Sequence, residues 1–387
     1  MSEIYFDNSA TTKMSKGARD KMLSVINESY GNPSSLHKKG LDSEHVIKEA
    51  RDIILNSIGV MRGNKNELIF TSSGTEANNL AIFGTVFAKK RQGGEKILTT
   101  RGEHASVEEP LTYLEGLGYR ILRVPTEGGK LDLDFIRQNA RDVILCTFMH
   151  VNNETGATYD LKTAFDIVRE QSPNAVFHAD CVQSYLKTNL TVKGIGADLL
   201  TISAHKVNGA KGVGALYVRP EIIKAKKLVA VTLGGGQESN FRSGTENVYG
   251  ISAFGEAVKE HTQCLKHELE KMSTVRAYLV DKLSQMNGVS LNLPEAPAPH
   301  ILNIEVKGIR SETTLHYLSS KGIFVSSGSA CSSNANKGHS RALVSFGLKP
   351  YQIDSAIRIS LSPQNTIQEA DMFLDVLAEA IKRLARR

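Results

Sequence analysis

"ISAHKVNGAKGVGALYV", residues 202–218, decides the fold. It carries the end of one apolar, strand-like run, "LLTISAHK" (199–206), and nearly all of another, "VGALYVR" (213–219). The Gly-rich text between them is too short for the helical crossover that joins parallel neighbours, so one of the two runs antiparallel. Lys206 closes the first run, beside His205. A lysine drawn out of water at a strand end tends to lose its charge, and a neutral amine can form a Schiff base. Taken alone, Lys206 reads better as an exposed loop lysine. "GAKGVGA" is a poor dinucleotide fingerprint, because it leads into a strand rather than opening a helix.

Working outward, strand-like runs recur at "ELIFTSS" (67–73), "KILTTRG" (96–102), "YRILRVP" (119–125), "VILCTFMHV" (143–151) and "AVFHADCV" (175–182). Segments with 3.6-residue apolar spacing, such as "TEANNLAIFGTVFAKKRQ" and "LKTAFDIVREQ", separate most of them. This alternation predicts a mostly parallel seven-stranded sheet covered on both faces, an α/β fold. After about residue 255 the text changes to a long helix, "ILNIEVKG", "AIRISL" and a final amphipathic helix, which reads as a smaller α+β domain.

The chain has 387 residues, 41% of them apolar and 23% charged, as expected of a soluble globular protein with more than one core. No apolar run approaches the roughly 18–20 residues that span a bilayer. The opening "MSEIYFDNSATTK" lacks the basic and apolar regions of a secretory signal. The net charge of +6 is spread out, a solvated surface rather than a nucleic-acid footprint. Neither a membrane nor a directly bound nucleic acid is expected as a partner.

The four cysteines form no CxxC pair and no metal-finger spacing, which points to reduced thiols and a cytoplasmic setting. Cys146 lies in an apolar strand and Cys264 on a helical stretch, and both read as structural. Cys181 follows Asp180, and packing is again the better reading. Cys331 alone, within "SSGSACSSNANKGHSRAL" (326–343), sits among residues too small and polar for a core, a context of exposure and mobility.

Ligands of open parallel sheets lie beyond the carboxyl ends of the strands. Those ends carry Ser72–Thr75, His104, Asn152–Glu154, Asp180 with Gln183, and Ser203–His205–Lys206. Gly74 and Thr75 fall where a strand turns into a helix, an anion site or an ordinary cap. Asp180 could likewise cap the next helix. His178 shares its strand face, but further metal ligands at suitable spacing are missing, so no metal is expected. Together, an anion cradle, a carboxylate and a lysine match pyridoxal phosphate, which needs all three.

The chain resembles the NifS/IscS-type cysteine desulfurases of the class V aminotransferase family, of pyridoxal-phosphate fold type I. The resemblance rests on "YFDNSATT", "GNPSSLH", "TSSGTEANNLAI", "EHASV", "MHVNNETG", "HADCVQ", "SAHKVNGAKGVGALYV", "GGGQESNFRSGTEN", "SSGSACSS" and "AIRISL", in that order and over nearly the whole chain. It implies a large cofactor domain over residues 16–255. Residues 1–15 and 256–387 would form a small domain carrying the Cys331 loop.

The resemblance also implies roles. Lys206 would hold the cofactor and later move the substrate Cα proton. Asp180 would pair with the pyridine nitrogen, and His104 would stack on the ring and assist proton transfer. Gln183 and Asn153 would contact the hydroxyl side of the ring, with Asn153 also near the substrate carboxylate that Arg358 holds. Gly74, Thr75, Ser203 and His205 would bind the phosphate, joined by Thr245 of the partner subunit, so a homodimer is implied. Cys331 would attack the sulfur of bound L-cysteine, release alanine and keep the sulfur as a persulfide, with His104 or the substrate amine as candidate acceptors of its proton.

Two departures bear on this reading. The text stops at "LARR", without the extension that docks the common iron–sulfur scaffold, so a tRNA-thiolation enzyme or another sulfur acceptor gains weight. Cys181 stands where relatives usually have a small or β-branched residue. The rival activities are a selenocysteine lyase or an aminotransferase; the non-enzymatic rival is a pyridoxal-phosphate-binding regulatory protein. Cys331 argues against the aminotransferase, and the intact Lys206, Asp180, His104 and Cys331 argue against the regulator.

Overall fold

The two runs that frame residues 202–218 are adjacent antiparallel strands. The computed structural model describes residues 3–61, 67–88, 96–327 and 339–385; Cys331 lies outside them. In chain order the strands are β1 (Ile4–Tyr5), β2 (Leu68–Thr71), β3 (Lys96–Thr100), β4 (Arg120–Val124), β5 (Val143–Met149), β6 (Val176–Asp180), β7 (Leu199–Ser203) and β8 (Gly214–Val218). They continue as β9 (Val289–Leu291), β10 (Ile301–Val306), β11 (Ile323–Phe324), β12 (Ser326–Ser327) and β13 (Ala356–Ser360).

Seven strands form one sheet in the order β2-β8-β7-β6-β5-β3-β4. Only β8 runs against the rest, pairing antiparallel with both β7 and β2. The carboxyl ends of the other six therefore share one edge. Every residue of β5, β6 and β7 is buried, which is why these strands read as continuous apolar runs instead of alternating ones.

The glycines of the opening stretch have a steric cause. A Cβ on Gly214 would lie 2.5 Å from the carbonyl carbon of Ser73 and 2.8 Å from the amide nitrogen of Gly74. The strand β8 thus lies against the turn where β2 becomes a helix, a contact only glycine allows.

Helices cover both faces. Leu80, Val107 and Leu111, from helices Gly74–Ala88 and Ala105–Gly116, pack with Ile97, Leu145 and Val176 on one side. Ile54, Phe165 and Phe254 pack with Phe148 and Phe177 on the other. Phe254 belongs to the long helix Val248–Ser284, whose later residues Met272 and Leu279 enter a second core. That core lies against an antiparallel sheet of order β12-β13-β10-β9, where Leu302, Ile304, Ile357 and Ile359 meet Phe6 and Phe373. The last helix, Ile367–Leu384, starts with a capping box between Thr366 and Glu369.

The N-terminal segment ties this second sheet to the strand ends of the first. The strand β1 pairs in parallel with β11, and Asp7 bridges to Ser360 at the end of β13. The chain then crosses to the Lys206 turn, where the Thr12 amide donates to the His205 carbonyl at 2.9 Å.

Candidate active site

A cavity of about 490 Å³ opens at the shared carboxyl edge of the large sheet. Five of the six strand ends bring groups to it. The first turn of helix Gly74–Ala88 contributes Gly74 and Thr75 after β2; His104 follows β3, and Asn153 follows β5. Asp180 and Gln183 come from the end of β6, and Ser203, His205 and Lys206 from β7 and its 3-10 turn Ala204–Lys206. Arg358 enters from β13, across the cavity. Size alone does not mark a site: a cleft of about 550 Å³ beside Thr158 and Arg276 holds none of these residues.

Ten of the twelve residues singled out from the sequence therefore line one cavity. Thr245 is exposed, on the segment before helix Val248–Ser284, and does not line it. Cys331 belongs to residues 328–338, outside the described residues.

Lys206 Nζ donates to the carbonyl oxygens of Ser9 and Ala10 at 2.6 and 2.8 Å. These carbonyls belong to the N-terminal segment, and Ser9 O also accepts from Gln183 Nε2 at 2.9 Å. Asp180 is buried. Its Oδ1 accepts from the Val182 amide at 3.0 Å, a local turn, and its Oδ2 accepts from Asn78 Nδ2 at 2.8 Å.

His104 caps helix Ala105–Gly116, with Nδ1 accepting from the Ser106 amide at 3.1 Å. A backbone N–H can only donate, so the neutral ring carries its proton on Nε2. His104 is exposed to the open cavity. Desolvation by the protein packed around it holds its pKa below the usual imidazole range; Asp180 opposes the shift and Lys206 adds to it. His205 is held at about 4 by burial first, then by the charges of Lys206, Lys187 and Lys211, so it is neutral near pH 7.

Arg358 is buried, with Nη1 donating to the Asn153 carbonyl at 2.9 Å and Nη2 to Asp7 Oδ1 at 2.7 Å. The loop that holds it also reaches the far end of the Cys331 segment. Glu154 accepts from Ser340 Oγ at 2.7 Å, and Ser340 caps helix Arg341–Phe346.

The remaining cysteines separate cleanly. Cys146 and Cys181 are buried, and burial pushes both thiols far up, which takes Cys181 out of consideration as a nucleophile at neutral pH. Cys264 is exposed, contrary to the structural role its helix suggested; it lies on the solvent side of Val248–Ser284, with its thiol on the Glu260 carbonyl. His178 is a core residue held between Thr147 and Thr201 at 2.8 and 3.0 Å. Among the described residues no His, Cys, Asp and Glu cluster could hold a metal.

The model of the aminotransferase class-V family matches residues 4–373. The chain belongs to the class V aminotransferase family. Its relatives in that family include the cysteine desulfurase IscS of Dictyoglomus turgidum, 37% identical over 99% of this chain and 95% of the relative. The cysteine desulfurase IscS 1 of Archaeoglobus fulgidus is 35% identical over 98% and 97%. Among solved structures, a NifS-like protein superposes with a TM-score of 0.90 at 31% identity, covering 98% of this chain and all of that one. The protein SspA, solved in complex with cysteine, superposes at 0.80 with 29% identity over 94% of this chain and all of SspA.

Class V enzymes use pyridoxal phosphate, and the cavity fits it. Ser203 Oγ and Gln183 Oε1 are buried without a hydrogen-bond partner among the described residues. Such orphaned atoms are costly unless a ligand completes them. Beside Ser203, the first N–H groups of helix Gly74–Ala88 have no intrahelical acceptors, which makes a cradle for a phosphate. Asp180 supplies an anion for a pyridinium, and Lys206 an amine for a carbonyl.

The N-terminal carbonyls, Asp7 and Asn78 went unread as site residues. "YFDNSATT" marked the family without assigning Asp7 a contact, and "EANN" gave no sign of which asparagine turns inward. The strands themselves were legible; their order in the sheet and these long-range contacts were not.

Proposed function

We propose that this chain is a cysteine desulfurase, converting L-cysteine to L-alanine and retaining the sulfur as a persulfide on Cys331. The convergence of Lys206, Asp180, His104 and Arg358 on one cavity carries the reading. Pyridoxal phosphate, when bound, supplies an electron sink that acidifies the substrate Cα–H and opens its sulfur to attack by a thiolate.

Gly74, Thr75, Ser203 and His205 would hold the phosphate, with Thr245 of the partner subunit completing the cradle in a homodimer. Asp180 would keep the ring nitrogen protonated, and Gln183 and Asn153 would hold the hydroxyl side of the ring. Arg358 would bind the substrate carboxylate, and Lys206 Nζ would move the Cα proton. His104 would stack on the ring and assist proton transfer, its neutral imidazole carrying the proton at Nε2.

Cys331 then attacks the substrate sulfur as a thiolate. The sulfur–sulfur bond forms as the carbon–sulfur bond breaks, and protons from the site complete alanine. An unperturbed thiol is only a few per cent ionised at neutral pH, so its proton must leave within the site. A division into residues 16–255 and 1–15 with 256–387 is supported by the separateness of the core at the second sheet from those on the two faces of the large one. The sulfur acceptor is another protein, of the tRNA-thiolation or iron–sulfur scaffold kind. No helix among the described residues is long and apolar enough to cross a membrane; the cysteine spacing, without a paired or metal-binding pattern, supports a cytoplasmic setting.

The test is mass spectrometry of the protein after exposure to cysteine without reductant. One added sulfur on the peptide bearing Cys331, absent from the Lys206→Ala variant, is expected. Sulfur on the Cys264 peptide instead, or none, contradicts the proposal.

A further inference from the structure

The helix that carries the phosphate cradle also reaches the other two cofactor contacts. Asn78 lies four positions after Gly74 and three after Thr75, on the same helical face. It is fully buried beneath the cavity and donates both hydrogens of its amide. One goes to Asp180 Oδ2 and the other to Ser106 Oγ, each at 2.8 Å. A carboxylate only accepts, so the nitrogen end of the amide must face Asp180. The opposite atom, Oδ1, is buried with no partner among the described residues. Turning the amide to satisfy it would set two oxygens against each other.

Ser106 passes the constraint on. Its Oγ lies 2.8 Å from His104 Nδ1, which already accepts from the Ser106 amide. With Asn78 donating to the hydroxyl oxygen, the hydroxyl hydrogen is left for Nδ1. We infer that Asn78 and Ser106 are positioning residues that act as one unit, orienting Asp180 and placing on His104 Nδ1 a second donor that reinforces the tautomer set by the Ser106 amide. The inference rests on the proposed function for its catalytic meaning, but the tautomer itself does not.

The consequence for protonation follows from the bond directions. Two donors on Nδ1 favour the neutral imidazole over the imidazolium, in which Nδ1 carries hydrogen. Without Asn78 the hydroxyl is free to turn and accept from a protonated Nδ1. The charges facing the ring, Asp180 from the end of β6 and Lys206 from the turn after β7, are unchanged in such a variant.

The experiment is nitrogen NMR of histidine-labelled full-chain protein, with and without pyridoxal phosphate. The His104 signal is assigned by its loss in His104→Asn. The wild type is expected to show an unprotonated Nδ1 and a protonated Nε2. Asn78→Ala is expected to keep the neutral ring's proton on Nε2, where the Ser106 amide holds it, and to raise the His104 pKa by roughly half a unit or more. Ser106→Ala, which removes a single oxygen and perturbs packing least, is expected to shift it in the same direction. Thr85→Val, at a buried position of the same helix, is expected to leave it alone.

In turnover of cysteine, Asn78→Ala should lower kcat by about ten-fold with KM changed less than about two-fold. Adding Ser106→Ala should cost little more, because the two act in series. An unchanged His104 titration in folded Asn78→Ala and Ser106→Ala overturns the inference. So does a double variant whose losses in kcat multiply. Loss of cysteine turnover in the wild type would sink the proposed function while leaving the tautomer measurement intact.

Discussion

Arg358 and Asp7 form an ion pair of 2.7 Å at the wall of the cavity, between the second sheet and the N-terminal segment. The guanidinium proposed to bind substrate therefore already has a carboxylate partner. Its Nη1 is held by the Asn153 carbonyl, while Nε is buried without a partner among the described residues. Asp7 thus aims the guanidinium and offsets its charge until a second carboxylate arrives.

Arg358→Gln should lower kcat/KM for cysteine by about 30-fold or more, mostly through KM. Truncating one member of a buried, hydrogen-bonded charge pair costs roughly 2 kcal/mol or more. Arg358→Lys should recover little, since an ammonium cannot keep the same fork of donors. Steady-state kinetics decide it; a near-normal KM in Arg358→Gln would leave the residue with only its salt bridge to Asp7.

Asp180→Asn keeps the size of the side chain but removes the charge that would face the pyridine nitrogen. Cofactor binding through Lys206 and the phosphate cradle should survive, with a visible band still present. Turnover should fall by roughly 100-fold or more, because charge stabilisation is lost where carbanion character develops. Activity within a few-fold of wild type would mean that another acid protonates the ring.

Glu103, the neighbour of His104, makes a prediction about stability. Its Oε1 accepts from Thr100 Oγ1 at 2.7 Å and the Met149 amide at 2.9 Å, while Oε2 has no partner among the described residues. Burial pushes its pKa up to about 8, with Asp180 and Glu108 adding to the shift against those two hydrogen bonds. The folded pKa exceeds the unfolded one, so this contribution is full below about 4.5 and lost as pH rises through about 8. Glu103→Gln keeps the accepting oxygen and cannot ionise. Its Tm should match wild type near pH 4 and exceed it by a margin that grows from about pH 4.5 to about pH 8; parallel Tm curves from pH 4 to 8 would place the ionised carboxylate comfortably in the fold.

Most of the architecture was legible because it is written in short-range patterns. All seven strands of the large sheet fall within the runs read from the sequence, and a reversal between the last two followed from the brevity of residues 207–212, though not which of them turns. The strand-end residues followed from the geometry of parallel sheets. What local pattern cannot show is which distant groups meet. Ser9 contacts Lys206, Asp7 contacts Arg358 and Asn78 contacts Asp180, each across about a hundred residues or more of chain. The exposure of Cys264 was missed for a related reason: a helix of 37 residues faces several environments, and its apolar spacing does not say which side a neighbouring unit covers.

The account stands or falls on the fate of cysteine. Purified protein loaded with pyridoxal phosphate should convert it to alanine, and in the presence of a thiol reductant should release one sulfide for each alanine. Cys331→Ser should bind cysteine, shown by a change in the visible spectrum, and form no alanine, since a serine hydroxyl is hardly ionised at neutral pH. Alanine from the Cys331→Ser variant at the wild-type rate, or pyruvate and ammonia in place of alanine from the wild type, would contradict it.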